Sequence, residues 1–140
     1  MQKIIINACF GGYGFSKAAT KLYAEKKGLD IWVQPGRLRS LNSDTYWLVP
    51  EDQWVNQDNW HSMSDEEKKI SNKNYRERTL DLTQLPRTDE TLIEVVTELG
   101  KEASDSYSNL IVIEIPDDVE WQVEEYDGYE HIAEKHRTWP

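Results

Sequence analysis

Of 140 residues only one, Cys9, is a cysteine, so no internal disulfide can form and any fold must be held by packing. Long apolar runs are also missing: none approaches the roughly 20 residues that a membrane-spanning helix needs. The N-terminus has no basic stretch followed by an apolar one, the mark of a secretory signal. These absences predict a soluble protein of the cytoplasm. Basic charge is scarce as well, with 16 Lys and Arg against 26 Asp and Glu, a formal net charge of −10. A polymer of phosphates is bound by clustered cations that release its counterions, so this balance argues against DNA, RNA and anionic membranes. It leaves open a small phosphorylated ligand in a locally positive pocket, or a basic protein partner.

Hydrophobic residues make up 38 % of the chain, and six of them are tryptophan, which is enough for a core. The length suits one domain. Lys3–Ala8 carries Ile4, Ile5 and Ile6 without interruption, the pattern of a strand covered on both faces. Ser16 is a fit N-cap for a helix over Lys17–Lys27 with Ala18, Ala19 and Leu22 on one side and Gly28 to end it. Leu29–Val33 and Tyr46–Val49 read as short strands, the first stopped by Pro35-Gly36. Ser64 with Glu67 forms a capping box that opens a short helix. Residues 37–85 are otherwise polar and read as an excursion from the core, in which Trp54, Trp60 and Tyr75 either cover a pocket or fasten the excursion.

Thr88 is placed to cap a helix whose Leu92, Val95, Val96, Leu99 and Ala103 fall on one face, with Glu90, Glu94 and Glu98 opposite. Leu110–Ile115 is a β-branched run of buried-strand type that should lie beside Lys3–Ala8. Val119–Glu124 alternates as a strand with one wet face, and Asp127-Gly128 is a hairpin turn. The residues after it fit either helix or strand, and the turn tips the reading to strand. The sum is an α+β single domain with a mixed β-sheet and two main helices.

Three segments, IINACFGGYGFS, RTDETLIEVVTELGKEAS and IVIEIPDDVEWQVEEYDGYEHIAEKHRTW, together resemble a group of small, largely uncharacterised proteins encoded by bacteriophages and prophages. The likeness covers both ends of the chain and omits residues 37–85. It implies a phage origin and a place of action in the host cell cytoplasm; it carries over no activity and no catalytic residue.

The chemistry concentrates at the first turn. Phe10, Gly11, Gly12, Tyr13 and Gly14, followed by Ser16 and Lys17, place glycines between a strand and a helix start, where backbone N–H groups can converge on an anion. The turn is neither a phosphate-binding P-loop nor a dinucleotide fingerprint. It reads either as an anion nest or as a tight turn that lets Phe10 and Phe15 pack. At the other end His136, Arg137 and Trp139 suit ligand contact, since a guanidinium grips phosphate and an indole stacks on a base. Arg87 is a further candidate anion contact.

Cys9 reads as a small hydrophobe sooner than a nucleophile, and His131, Glu134 and His136 match no common zinc spacing. No nucleophile–base pair, metal site or cofactor motif stands out, which weighs against an enzyme. The expectation is therefore capture, without cleavage, of a nucleotide-type ligand such as a host defence signal. The alternatives are an inhibitor that binds a host defence protein directly, and a nucleotide-cleaving enzyme using His131 or His136.

Overall fold

The computed structural model describes residues 1–36, 44–56 and 59–135. The architecture is α+β, and the chain divides into two units, residues 1–27 with 82–140, and residues 28–81. The excursion expected over 37–85 falls largely within the second.

In the first unit, strand β1 (Gln2–Asn7) pairs antiparallel with β4 (Leu110–Ile115), Ile4 opposite Ile113 and Ile6 opposite Ile111. The far edge of β1 is occupied too: Ile5 N–H donates to the Arg87 carbonyl at 3.1 Å, and Asn7 N–H donates to the Glu130 carboxylate at 2.8 Å. With neighbours on both edges and both faces, Ile4, Ile5 and Ile6 are no more than 2 % exposed. Each such side chain contributes roughly 1.5–3 kcal/mol by leaving water. β4 is less covered than its composition suggests, since Ile111 is 37 % exposed.

Helix α1 (Lys17–Lys27) is capped by Ser16, whose Oγ accepts from Ala19 N–H at 3.1 Å, and it ends at Gly28 with φ 67°. Its buried face is Ala19, Thr20, Tyr23 and Ala24. Ala18 is exposed and Leu22 only half-buried, so the expected stripe is rotated by about one residue. Helix α3 (Glu90–Leu99) follows the foreseen stripe, with Leu92, Val95 and Val96 buried, though Leu99 is half-buried. Its cap is Asp89 and not Thr88: Asp89 Oδ1 accepts from Leu92 N–H at 2.9 Å. Arg87 is held against β1 by the Ile5 bond, which carries the chain past Thr88 before it can coil. Lys26 of α1 lies between Glu94 and Glu98 of α3, at 3.6 and 3.0 Å.

Strands β5 (Trp121–Tyr126) and β6 (Tyr129–Glu134) form a hairpin across Asp127 (φ 49°) and Gly128 (φ 84°). Two consecutive positive φ angles define the primed turn whose twist matches its strands. The segment after the turn is thus strand, not helix.

In the second unit β2 (Trp32–Gln34) pairs antiparallel with β3 (Thr45–Trp47). Helix α2 (Asp65–Arg78) begins at the Ser64 capping box, Ser64 Oγ accepting from Glu67 N–H at 3.2 Å, and runs 14 residues. Trp47, 2 % exposed, stacks on Trp54 at 5.4 Å and meets Tyr75 edge-on at 5.3 Å. Trp54 and Tyr75 therefore fasten this unit; Trp60 lies under Lys68, 5.4 Å from its Nζ.

One expectation needs correction. Among the described residues the strands form three two-stranded antiparallel ladders and not one mixed sheet, while α1 and α3 are the two main helices expected and α2 is the helix that Ser64 opens. An unbroken apolar run reports burial on both faces but not the direction of the neighbouring strand. No helix among the described residues is long and apolar enough to cross a membrane.

Candidate functional site

One end of the first unit gathers three loops, residues 8–16 after β1, 104–109 before β4, and the 126–129 turn. Asn7, wholly buried, joins them. Its Nδ2 donates to the Gly128 carbonyl at 2.8 Å and to the Cys9 carbonyl at 3.2 Å, while its Oδ1 accepts from Asn109 N–H at 2.8 Å. Gly12 N–H donates to the Tyr107 carbonyl at 3.0 Å, Ser108 Oγ to the Gly14 carbonyl at 2.8 Å, and Ser16 N–H to the Ala103 carbonyl at 2.9 Å.

The glycines follow from this crowding. A Cβ on Gly11 would run into the Tyr107 carbonyl, one on Gly14 into the Asp105 carboxylate, and one on Gly128 into the Gly11 backbone. Around Gly12 the space is open. The turn is thus glycine-rich because two other loops press on it. The Gly12 and Ser16 N–H groups already serve carbonyls, and the nearest charge to Gly14 is negative.

Beneath the loops lies a charged cluster. Arg87 grips Glu130 in a two-pronged pair, Nη1 to Oε1 at 2.7 Å and Nη2 to Oε2 at 2.8 Å, and also donates to the Ile5 carbonyl at 3.2 Å. Tyr13 turns inward, its ring 3.8 Å from the Arg87 guanidinium carbon and edge-on to Phe15 at 5.2 Å. Its hydroxyl is buried with no hydrogen-bond partner among the described residues. Burial pushes the Tyr13 phenol up to about 12; the Arg87 charge opposes that rise and the Glu130 carboxylate adds to it.

Above the loops the same end is aromatic. Phe10 is 71 % exposed and packs on Tyr129, ring centres 5.3 Å apart. Tyr126 stands opposite Tyr129 across the hairpin, and the Tyr107 side chain is exposed. An unpaired aromatic on a loop usually folds back on the protein; here rings from three loops stay in solvent on a backbone fixed by the Asn7 bonds.

The candidates from the sequence are thus distributed unevenly. Phe10, Gly11, Gly12, Tyr13, Gly14, Ser16 and Arg87 belong to this end, with Phe10 outside and Tyr13 and Arg87 inside. Lys17 is exposed at the first position of α1. His136, Arg137 and Trp139 lie outside the described residues. His131 sits on the exposed face of β6, 3.0 Å from the Glu124 carboxylate. Cys9 is half-buried, its Sγ 3.3 Å from both the Asn7 Oδ1 and the Tyr107 carbonyl. Among the described residues no group of three His, Cys, Asp or Glu could hold a metal ion.

Sequence reasoning missed Asn7, Tyr107, Tyr126, Tyr129 and Glu130. Glu130 carried no local signal: on a strand it shares a face with Ile132 and with Glu134, so it reads as one more solvated carboxylate. Compared with protein-family models, with curated proteins and with solved structures, the chain matches none of them.

Proposed function

We propose that this is a binding protein that stacks the bases of a nucleotide-type ligand on the aromatic end of its first unit and, in the phage setting the resemblance implies, withdraws a host defence signal without cleaving it. The observation that carries the reading is the Phe10–Tyr129 pair, solvent-exposed yet seated on a fixed backbone. Bases stack on such faces whatever their identity, at about 1–3 kcal/mol each. Arg87 is engaged by Glu130, so phosphate contacts fall to Lys17 and Arg137. A second reading, direct binding of a host protein, draws support from the tyrosines themselves, which supply rigid contact area in recognition surfaces, and from the acidic net charge, which steers basic partners.

Calorimetric titration with a panel of mononucleotides, dinucleotides and cyclic oligonucleotides tests the proposal. At least one probe should bind, Phe10→Ala and Tyr129→Ala should each weaken it by roughly 5- to 150-fold, and the probe should be recovered unchanged by mass spectrometry. Absence of binding by every probe refutes nucleotide capture; a shortened or hydrolysed probe makes the protein an enzyme.

A further inference from the structure

In an antiparallel ladder, residues alternate between pointing their N–H and C=O at the partner strand and pointing them away. Ile5 and Asn7 use theirs on the side away from β4, toward Arg87 and Glu130. Their partners across the ladder, Val112 and Leu110, together with Glu114 opposite Lys3, must therefore point outward from the far edge of β4.

That edge is blocked at both ends and open in the middle. Leu110 N–H is taken by Ser104 Oγ at 2.9 Å. Pro116, the next outward position, has no N–H, and its carbonyl accepts from Gln2 Nε2 at 3.0 Å and from Val119 N–H at 3.3 Å. Between them the outward N–H and C=O groups of Val112 and Glu114 have no partner among the described residues.

We infer that two copies of this chain pair antiparallel through the outer edges of β4, about a two-fold axis at Ile113. In that register Val112 faces Glu114 of the second copy and Glu114 faces its Val112, so four N–H···O bonds satisfy every outward N–H and C=O of Val112 and Glu114. No other symmetric register does so: an axis at Glu114 sets like charges opposite and matches Val112 with Pro116, and an axis at Val112 needs the Leu110 N–H that Ser104 holds. The side chains agree, with Ile113 meeting Ile113 and Ile111, 37 % exposed in the single chain, meeting Ile115. Each Glu114 keeps Lys3 of its own chain at 3.8 Å, so the two carboxylates enter the pairing partly neutralised. An exposed β-branched edge without a bulge or a proline in its middle is the kind that strands add to.

Sedimentation velocity of the full chain over a wide concentration range, together with amide hydrogen exchange, tests this. The mass should rise with concentration from 16.4 kDa toward twice that value. Exchange at Val112 and Glu114 should slow at least tenfold as it does, while Ile111 and Ile113, bonded to β1, stay slow throughout. Val112→Pro removes one outward N–H that the single chain does not use, and Ile111→Lys puts a charge against the apolar seam; each should hold the mass at that of one chain. Ile111→Lys and the exchange pattern decide the matter if the proline variant fails to fold. A single-chain mass at every concentration overturns the inference, as does a dimer that survives Ile111→Lys or leaves Val112 and Glu114 unprotected.

Discussion

Replacing Glu130 with alanine should be among the most damaging single changes in the first unit. Its carboxylate accepts three hydrogen bonds, two from Arg87 at 2.7 and 2.8 Å and one from Asn7 N–H at 2.8 Å. Its side chain is 6 % exposed and that of Arg87 is 22 % exposed. Breaking a fully buried pair from one side costs about 3–5 kcal/mol, because a charge is left without its partner. Water reaching Arg87 reduces that figure, while the orphaned Asn7 N–H adds about 1–3 kcal/mol. Together these give a loss of roughly 3–5 kcal/mol, a large part of the 5–15 kcal/mol by which a domain is usually stable. Glu130→Gln keeps a neutral acceptor and should lose about half as much. The double change Arg87→Met with Glu130→Leu should recover part of the loss, since no unpaired charge remains. Urea unfolding followed by circular dichroism, with the slope checked for constancy, measures all of these. Tryptophan emission is the wrong probe, because four of the six tryptophans lie in residues 28–81. A loss below about 1 kcal/mol for Glu130→Ala would mean the pair is solvated and does not organise the site.

The glycine turn offers a graded series by the same assay: Gly128→Ala, which meets both a positive φ and the Gly11 backbone, should destabilise most, Gly11→Ala next at roughly 1–3 kcal/mol, and Gly12→Ala least. Equal losses at Gly11 and Gly12 would refute the packing account of the turn. Tyr13 supplies a pH test. Its folded pKa, raised to about 12 from 10.0, favours the native state fully below pH 10, and that contribution, on the order of 2–3 kcal/mol, is lost as pH climbs from 10 to 12. Tyr13→Phe should lack this loss and, having no buried hydroxyl to satisfy, should match or exceed the parent stability at neutral pH; parallel pH curves for the two proteins would contradict the buried phenol.

Local signals carried the elements well. The Ser16 and Ser64 caps, the α3 stripe and the Asp127-Gly128 hairpin all follow from spacing within a few residues, and the pairing of β1 with β4 was foreseen from the apolar character of both runs. What the sequence concealed depends on partners far along the chain. Thr88 and Asp89 are both good caps, and only the bond from Ile5 to Arg87 decides between them. Arg87 looked like a free cation because Glu130, 43 residues on, gives no local sign of facing it. The glycines pointed to an anion, yet Gly11 and Gly128 are explained by each other and by Tyr107. The aromatic end was invisible as a unit, since its rings come from three separated loops.

The bond from Asn7 to Glu130 spans 123 residues of chain. At the usual 5–20 residues per second of synthesis, Ile4, Ile5 and Ile6 wait on the order of 10 s after leaving the ribosome before β4 and β6 exist to cover them. Residues 28–81 have all their own strands and α2 well before that. Order of synthesis and order of shelter therefore differ for β1, which is made well before the strand and carboxylate that cover its two edges. In the interval its three isoleucines are an uncovered apolar segment, of the kind that makes a partly folded chain prone to aggregate.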